Sequence, residues 1–272
     1  MEVKRISGAL GAEILGVDLG GALADETVAA IRRAFLEHLV VFFHDQPLTP
    51  AQFMAFARRM GKPIEYPLVK GIAGFPEVIE VKKLEHERHN FGGLWHSDTA
   101  YLENPPMGSM LLAREVPPYG GDTEFANQYG AYETLSEGMR KLLDGLVAIN
   151  ASTKADATRT REDRMKEQDH ETRQFLAEHP VVRTHPETGR KALYVNVGHT
   201  VRFKDMTEEE SAPLLEFLYR HQVRPELTCR FRWRVGSLAF WDNRCTQHNP
   251  LNDYHGHRRV MHRITLAGDK PR

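Results

Sequence analysis

His96-Ser97-Asp98 is where this chain gathers groups that could hold a metal, and a distant His248 and then Arg259 follow it. Two imidazoles and one carboxylate can cap one face of an octahedral ferrous ion. The opposite face stays open for a chelating co-substrate and dioxygen, the facial-triad arrangement of non-haem iron oxygenases. The spacing has a physical reason. In extended backbone, residues i and i+2 point the same way, so His96 and Asp98 can grip one ion together. The third ligand must then come from a distant strand, and His248 is the candidate. The triplet alone is a weak signal. With 14 His and 13 Asp in 272 residues, roughly 0.7 such triplets arise by chance, and a polar turn would look the same. A competing His185-Pro186-Glu187 sits in His-Pro-Glu-Thr-Gly-Arg and reads as a tight turn between strands.

Four stretches in order give the triplet its context. They are Leu94-Trp95-His96-Ser97-Asp98, Pro117-Pro118-Tyr119-Gly120-Gly121-Asp122-Thr123, Trp241-Asp242-Asn243-Arg244-Cys245-Thr246-Gln247-His248 and Arg258-Arg259-Val260-Met261-His262-Arg263. Together they resemble the TauD/TfdA (taurine dioxygenase) family, from about Gly16 to the C-terminus. The resemblance implies Fe(II), 2-oxoglutarate and O2 as cofactor and co-substrates, with His96, Asp98 and His248 as catalytic metal ligands. It implies a mainly β fold with flanking helices around a double-stranded β-helix (jelly-roll) core, in a single domain over 1–272.

Such a site must hold 2-oxoglutarate by both ends, and a far carboxylate suits the planar fork of arginine. Arg259 and Arg263 are four apart, so on a strand both face one side with Met261 between them. Two neighbouring guanidinium groups need two anions. Carried over residue by residue, Arg259 resembles the 2-oxoglutarate clamp, Thr123 the hydroxyl that assists it, and Arg263 the substrate-anion contact.

In the taurine-specific branch a His and an Asn help grip the substrate. By position those sites look like Tyr66 and Gly92 here, and a further wall position appears as His199. With Val69, these departures suit a larger or more apolar anion than taurine: an aryloxy acid, a sulfate ester or a longer sulfonate. The expected reaction is hydroxylation beside the heteroatom, with succinate and CO2 released. Alternatives are taurine dioxygenase proper, a related hydroxylase or desaturase that keeps its product, and a metal-binding jelly-roll sensor or store without turnover.

Other candidates read as structural. Cys245 is a small wall residue, Trp95 and Trp241 pack in the core, and His255 and His257 face solvent in a polar loop. Asp242 and Asn243 make hydrogen bonds in a turn or behind the ligands.

The elements that must position these groups are legible from periodicity and caps. Residues 24–40 read as an amphipathic helix capped by Asp25, and 40–43 as a buried strand. Thr49-Pro50 opens a second helix. Strands are expected at 78–81, 110–113, 181–182, 192–196, 228–233, 237–241 and 259–266, and an active-site loop over 83–93. Residues 129–146 read as helix, broken at Ser136, and 207–221 as a capped helix. The very polar stretch 155–170 reads as a solvated helix or insert, with a lid over the site as the functional alternative.

A net charge of −1 without long runs of one sign argues against nucleic-acid and membrane partners. The expected partners are a small anionic organic substrate and further copies of the chain, as a dimer or tetramer. No stretch has the length of a spanning helix, and the opening Met-Glu-Val-Lys-Arg-Ile lacks the apolar run of a signal peptide. Two cysteines give no disulfide framework, so a reducing cytoplasm is expected.

Overall fold

Four buried strands carry apolar side chains on both faces, and that pattern sets the layers. In chain order they are Val40–Phe43, Gly108–Glu115, Leu238–Asp242 and Arg259–Leu266. One set of alternating residues, Val41, Phe43, Met110, Leu112, Leu238, Phe240 and Ile264, packs against helices through Ile31, Phe35, Phe53 and Phe56. The other set, Val40, Phe42, Leu111, Ala113, Ala239, Trp241 and Met261, packs against Phe125, Cys229 and Phe231 of a second sheet. A sheet covered on both faces in this way has no polar side to alternate with.

A computed structural model describes residues 1–67, 69–90, 92–154 and 174–272. The polar stretch 155–170 therefore lies outside the described residues. The chain runs β1 (Glu2–Arg5), β2 (Ala12–Leu15), α1 (Asp25–His38), β3 (Val40–Phe43), α2 (Pro50–Met60), β4 (Pro63–Ile64), β5 (Val78–Lys83), β6 (Gly108–Glu115) and β7 (Thr123–Asn127). It continues with α3 (Gln128–Glu133), α4 (Glu137–Leu143), β8 (Val147–Ala151), β9 (Leu176–Pro180), β10 (Val182–Thr184), β11 (Lys191–Leu193) and β12 (Thr200–Phe203). Then come α5 (Glu208–His221), β13 (Thr228–Phe231), β14 (Leu238–Asp242), β15 (Thr246–Pro250) and β16 (Arg259–Leu266).

The large sheet has the order β1-β2-β3-β14-β6-β16-β4, with β5 also paired to β16. Facing it is the sheet β13-β7-β15, and the two form the jelly-roll core. Helices α1 and α2 cover the outer face of the large sheet. A third apolar cluster joins α3, α4 and α5 to β8, β10, β11 and β12. No described helix is long and apolar enough to cross a membrane.

Several helix ends are as the sequence indicates. Thr49 and Thr207 each close a capping box, with Gln52 and with Glu210. The helix expected over 129–146 is two helices, and Ser136 caps the second. One expectation is corrected: Ala24, not Asp25, is the N-cap of α1, without a side-chain cap bond. Asp25 is instead the first helical residue, where its charge suits the helix dipole.

Candidate active site

Three side chains converge between the two sheets. His248 lies on β15, which pairs with β7 so that His248 faces Phe125 and Pro250 faces Thr123. His96 sits outside any strand but makes an isolated two-residue bridge with His248. Its N–H donates to the His248 carbonyl at 3.1 Å, and the His248 N–H donates back at 2.9 Å. That bridge sets the two rings side by side, with centroids 4.2 Å apart. Asp98 follows in a turn, with Thr99 at φ 42°. The extended spacing expected for His96 and Asp98 thus holds only at His96, and the turn completes the approach. Asp98 Oδ1 lies 3.5 Å from His96 Nε2 and 3.7 Å from His248 Nε2. One donor atom from each residue lies within 4.8 Å of the others.

The surroundings prepare these groups as ligands. His96 Nδ1–H donates to the Leu94 carbonyl at 2.6 Å, which leaves the Nε2 lone pair facing the cluster. Burial holds the His248 imidazole well below its ordinary range, helped by His96 and Arg263 and opposed by Asp98. The ring is therefore neutral, the form that binds metal. Burial pushes the Asp98 carboxyl up, but Arg263, His248 and His96 together outweigh it and hold it well below the usual carboxylate range. Two imidazoles and one carboxylate suit a divalent iron.

Asp98 Oδ2 is held separately. Ser109 Oγ donates to it at 2.7 Å, and Arg263 Nη2 pairs with it at 2.7 Å. Asn243 Nδ2 donates to Ser109 Oγ, while its Oδ1 accepts from Trp241 Nε1 and from the Asp98 N–H. Asn243 thus stands behind the His/Asp group, one of the two placements the sequence allows for it. Asp242 instead pairs with Arg244 at 2.7 Å and with His185 at 3.0 Å. His185, Asp242 and Cys245 form a second compact group, but both Asp242 oxygens are already engaged by Arg244. His185 accepts the backbone N–H groups of Glu187 and Thr188 in the turn expected there.

Alternation along β16 turns Arg259, Met261, Arg263 and Thr265 toward the second sheet. Arg259 and Arg263 line a cavity with His96, His248, Thr123, Trp233 and Phe125. Arg259 is buried, and its Nε and Nη2 have no hydrogen-bond partner among the described residues. Burial pulls its guanidinium below the ordinary value. Thr123 Oγ1 stands at the same end and accepts from Trp233 Nε1 at 3.0 Å. Beyond the Trp233 ring 5.7 Å away and the Asp122 charge acting through space, a buried cation short of hydrogen bonds is costly, and an anion would relieve the cost. Arg263 differs from the expectation of a free anion contact, since its Nη2 is committed to Asp98 and Ser109. Its Nε has no partner among the described residues.

The three substrate-wall candidates lie around the metal group. The Arg263 guanidinium sits 5.3 Å from the centre of the Tyr66 ring. His199 meets His96 edge-on at 5.8 Å. Gly92 adopts φ 75°, and a Cβ there would lie 3.0 Å from His96 Cε1 and 3.4 Å from Nε2. Val69 packs beside Tyr66, Ile79 and Tyr101. Trp241 is buried as expected and Trp95 only half so, while His255 is exposed and His257 partly so. Sequence reading missed Ser109 and Trp233. The only signal for Ser109 is its even spacing from Leu111 and Ala113 on a buried strand.

Comparison with known proteins bears on the chain as a whole. Residues 2–265 match the family described as taurine catabolism dioxygenase TauD, TfdA family. An alpha-ketoglutarate-dependent sulfate ester dioxygenase of Pseudomonas putida is 37% identical over 279 residues, covering 100% of this chain and 91% of that one. An alkylsulfatase of Acinetobacter baylyi is 35% identical over 277 residues, covering 99% and 86%. A crystal structure of a putative alpha-ketoglutarate-dependent taurine dioxygenase from Burkholderia xenovorans matches with a TM-score of 0.85 at 39% identity, covering 99% of this chain and 93% of that one.

Proposed function

The chain belongs to the TauD/TfdA family of Fe(II)- and 2-oxoglutarate-dependent dioxygenases, and we propose that it hydroxylates a small sulfate ester at the carbon next to the ester oxygen. O2 and 2-oxoglutarate are consumed, and succinate and CO2 are released. One oxygen atom enters the new carboxylate of succinate and the other the substrate carbon. The hydroxylated carbon then expels sulfate and becomes an aldehyde, which balances the reaction. The observation that carries this reading is the buried Arg259 guanidinium, whose Nε and Nη2 have no hydrogen-bond partner among the described residues, in the cavity that also holds His96 and His248.

His96, Asp98 and His248 are the proposed ligands of Fe(II). When bound, the iron with 2-oxoglutarate and O2 supplies the oxidising equivalents that remove hydrogen from the substrate carbon. Arg259 and Thr123 grip the far carboxylate of 2-oxoglutarate, and Trp233 orients the Thr123 hydroxyl. Ser109 and Arg263 fix Asp98 through Oδ2, so that Oδ1 remains for the metal. Arg263 also offers to the substrate sulfate its Nε edge, which has no hydrogen-bond partner among the described residues. Phe125, Leu111 and Trp241 keep the cavity apolar, which strengthens each charged contact within it.

Tyr66, His199 and Gly92 form the proposed substrate wall. An aromatic ring beside Arg263 and a glycine beside His96 favour an organic tail over the compact amine of taurine. The sulfate ester and alkylsulfatase relatives support the same choice. A single dioxygenase domain, assembly into a dimer or tetramer and a cytoplasmic location complete the reading. Light scattering after gel filtration tests the assembly.

Substrate-dependent succinate release tests the substrate class, across alkyl sulfates, longer sulfonates, aryloxyacetates and taurine. Alkyl sulfates should be turned over best. Taurine as the best substrate would restore the taurine reading, and neutral compounds outperforming every anion would remove Arg263 from substrate binding.

A further inference from the structure

Lys83 is a buried cation that the reading above does not use. It ends β5 directly opposite Arg259 of β16. Cross-strand partners share one face of a sheet, and like charges placed so repel. Both side chains are nonetheless buried, at 2% and 6% exposure. Lys83 Nζ, like Arg259 Nε and Nη2, has no hydrogen-bond partner among the described residues. The Tyr254 ring centre lies 4.1 Å from Lys83 Nζ, a weak replacement for lost hydration. Burial pulls the ammonium below its ordinary value, and Glu87 opposes this through space. The Glu87 carboxylate itself accepts the backbone N–H of Leu84.

The pair borders a void about the size of one water. A small cavity is lined by Lys83 and Arg259 with Val81, Asn90, Pro250 and Tyr254. It shares Val81, Pro250 and Arg259 with the cavity that contains the His/Asp group. Asn90 Nδ2 is tied to the Pro250 carbonyl at 2.9 Å, which holds the loop against this end. A carboxylate has two oxygens and about four acceptor sites, enough to serve an ammonium and a guanidinium at once.

We infer that Lys83 joins Arg259 in a two-cation clamp on the far carboxylate of 2-oxoglutarate, so that the site selects dicarboxylic over monocarboxylic 2-oxo acids. The inference rests on the placement of 2-oxoglutarate proposed above. Lys83 is then a co-substrate-binding residue, and removing its charge should act on 2-oxoglutarate alone.

The test is binding, measured anaerobically on Fe(II)-loaded protein by calorimetry or tryptophan fluorescence. The ligands are 2-oxoglutarate and 2-oxovalerate, which lacks the far carboxylate. Lys83→Met should weaken 2-oxoglutarate about tenfold or more, as loss of a buried charge-assisted contact does. It should leave 2-oxovalerate unchanged, and Lys83→Arg should restore most of the affinity. Unchanged 2-oxoglutarate affinity in a folded Lys83→Met protein would overturn the clamp, as would equal loss of both ligands. Arg259→Met run in parallel separates the two levels. If that variant also binds 2-oxoglutarate normally, the proposed placement fails. If only the Lys83 variant does, the placement stands and the clamp falls.

Discussion

Replacing Arg259 by Met tests the charge logic of the cavity in two opposite directions. Methionine fills similar space and removes a guanidinium whose Nε and Nη2 have no hydrogen-bond partner among the described residues. In the free protein that charge is a cost, because burial without compensation disfavours it. Arg259→Met should therefore melt no lower than the wild type when 2-oxoglutarate is absent. With 2-oxoglutarate the order reverses. Breaking a buried charge-assisted pair costs about 2–5 kcal/mol, which is roughly a thirty-fold to several-thousand-fold loss of affinity. A ligand at about 100 times its Kd stabilises the wild type by about 2.7 kcal/mol, and the variant should lose nearly all of that gain. Thermal melts with and without 2-oxoglutarate, beside the KM for 2-oxoglutarate, read both effects. A variant that is markedly unstable without ligand yet keeps the wild-type KM would show Arg259 to be a structural cation and refute the reasoning.

Three further outcomes follow from the same geometry. Ser109→Ala removes the hydroxyl shared by Asp98, Arg263 and Asn243. It should weaken Fe(II) binding about 10–100-fold, measured by anaerobic metal titration. Gly92→Ala places a Cβ 3.0 Å from His96 Cε1 at a φ of 75°. It should lower both iron affinity and stability, the backbone strain alone costing roughly 1–2 kcal/mol, as read by metal titration and denaturant melts. His179 is buried, with Nε2–H on the Leu102 carbonyl and Nδ1 without a hydrogen-bond partner among the described residues, and burial holds it below its ordinary value of 6.5. The unfolded chain therefore takes up a proton below that pH that the folded chain refuses. Stability should be flat above pH 6.5 and fall below it, by at most about 1.4 kcal/mol per unit for this group. Denaturant melts at neutral and mildly acid pH should show a smaller fall in His179→Gln.

The parts legible in the sequence are those fixed by local rules. Thr49 and Thr207 announce helix starts because their hydroxyls and the Gln or Glu three residues on satisfy the same free N–H groups. Arg259 and Arg263 share a face because β16 is a regular strand over Arg259–Leu266. His248 is placed by β15, yet that strand is polar, Thr246-Gln247-His248-Asn249-Pro250, and has no apolar alternation to reveal it. The first two strands, β7, β8 and β12 escape sequence reading for a related reason: they are short, and pairing rather than composition defines them. The geometry of Asp98 was legible only in outline. The i, i+2 spacing implies a strand, whereas the chain turns at Asp98 and Thr99 and the approach to His248 depends on a two-residue bridge. Ser109 and the Arg263–Asp98 pair are tertiary facts, since they join residues far apart in the chain. Lys83 looked like the edge of a charged loop, and its burial opposite Arg259 appears only once β5 and β16 are in register.

The central claim is that His96, Asp98 and His248 hold one Fe(II) to which 2-oxoglutarate binds. Anaerobic titration of the protein with Fe(II) and 2-oxoglutarate, followed by the weak visible charge-transfer band of that chelate, tests it most directly. The wild type should reach one iron per chain with the band and then release succinate on admitting O2 and substrate, whereas Asp98→Ala should show neither band nor succinate. An Asp98→Ala protein with the same band and the same succinate yield as the wild type would contradict the account.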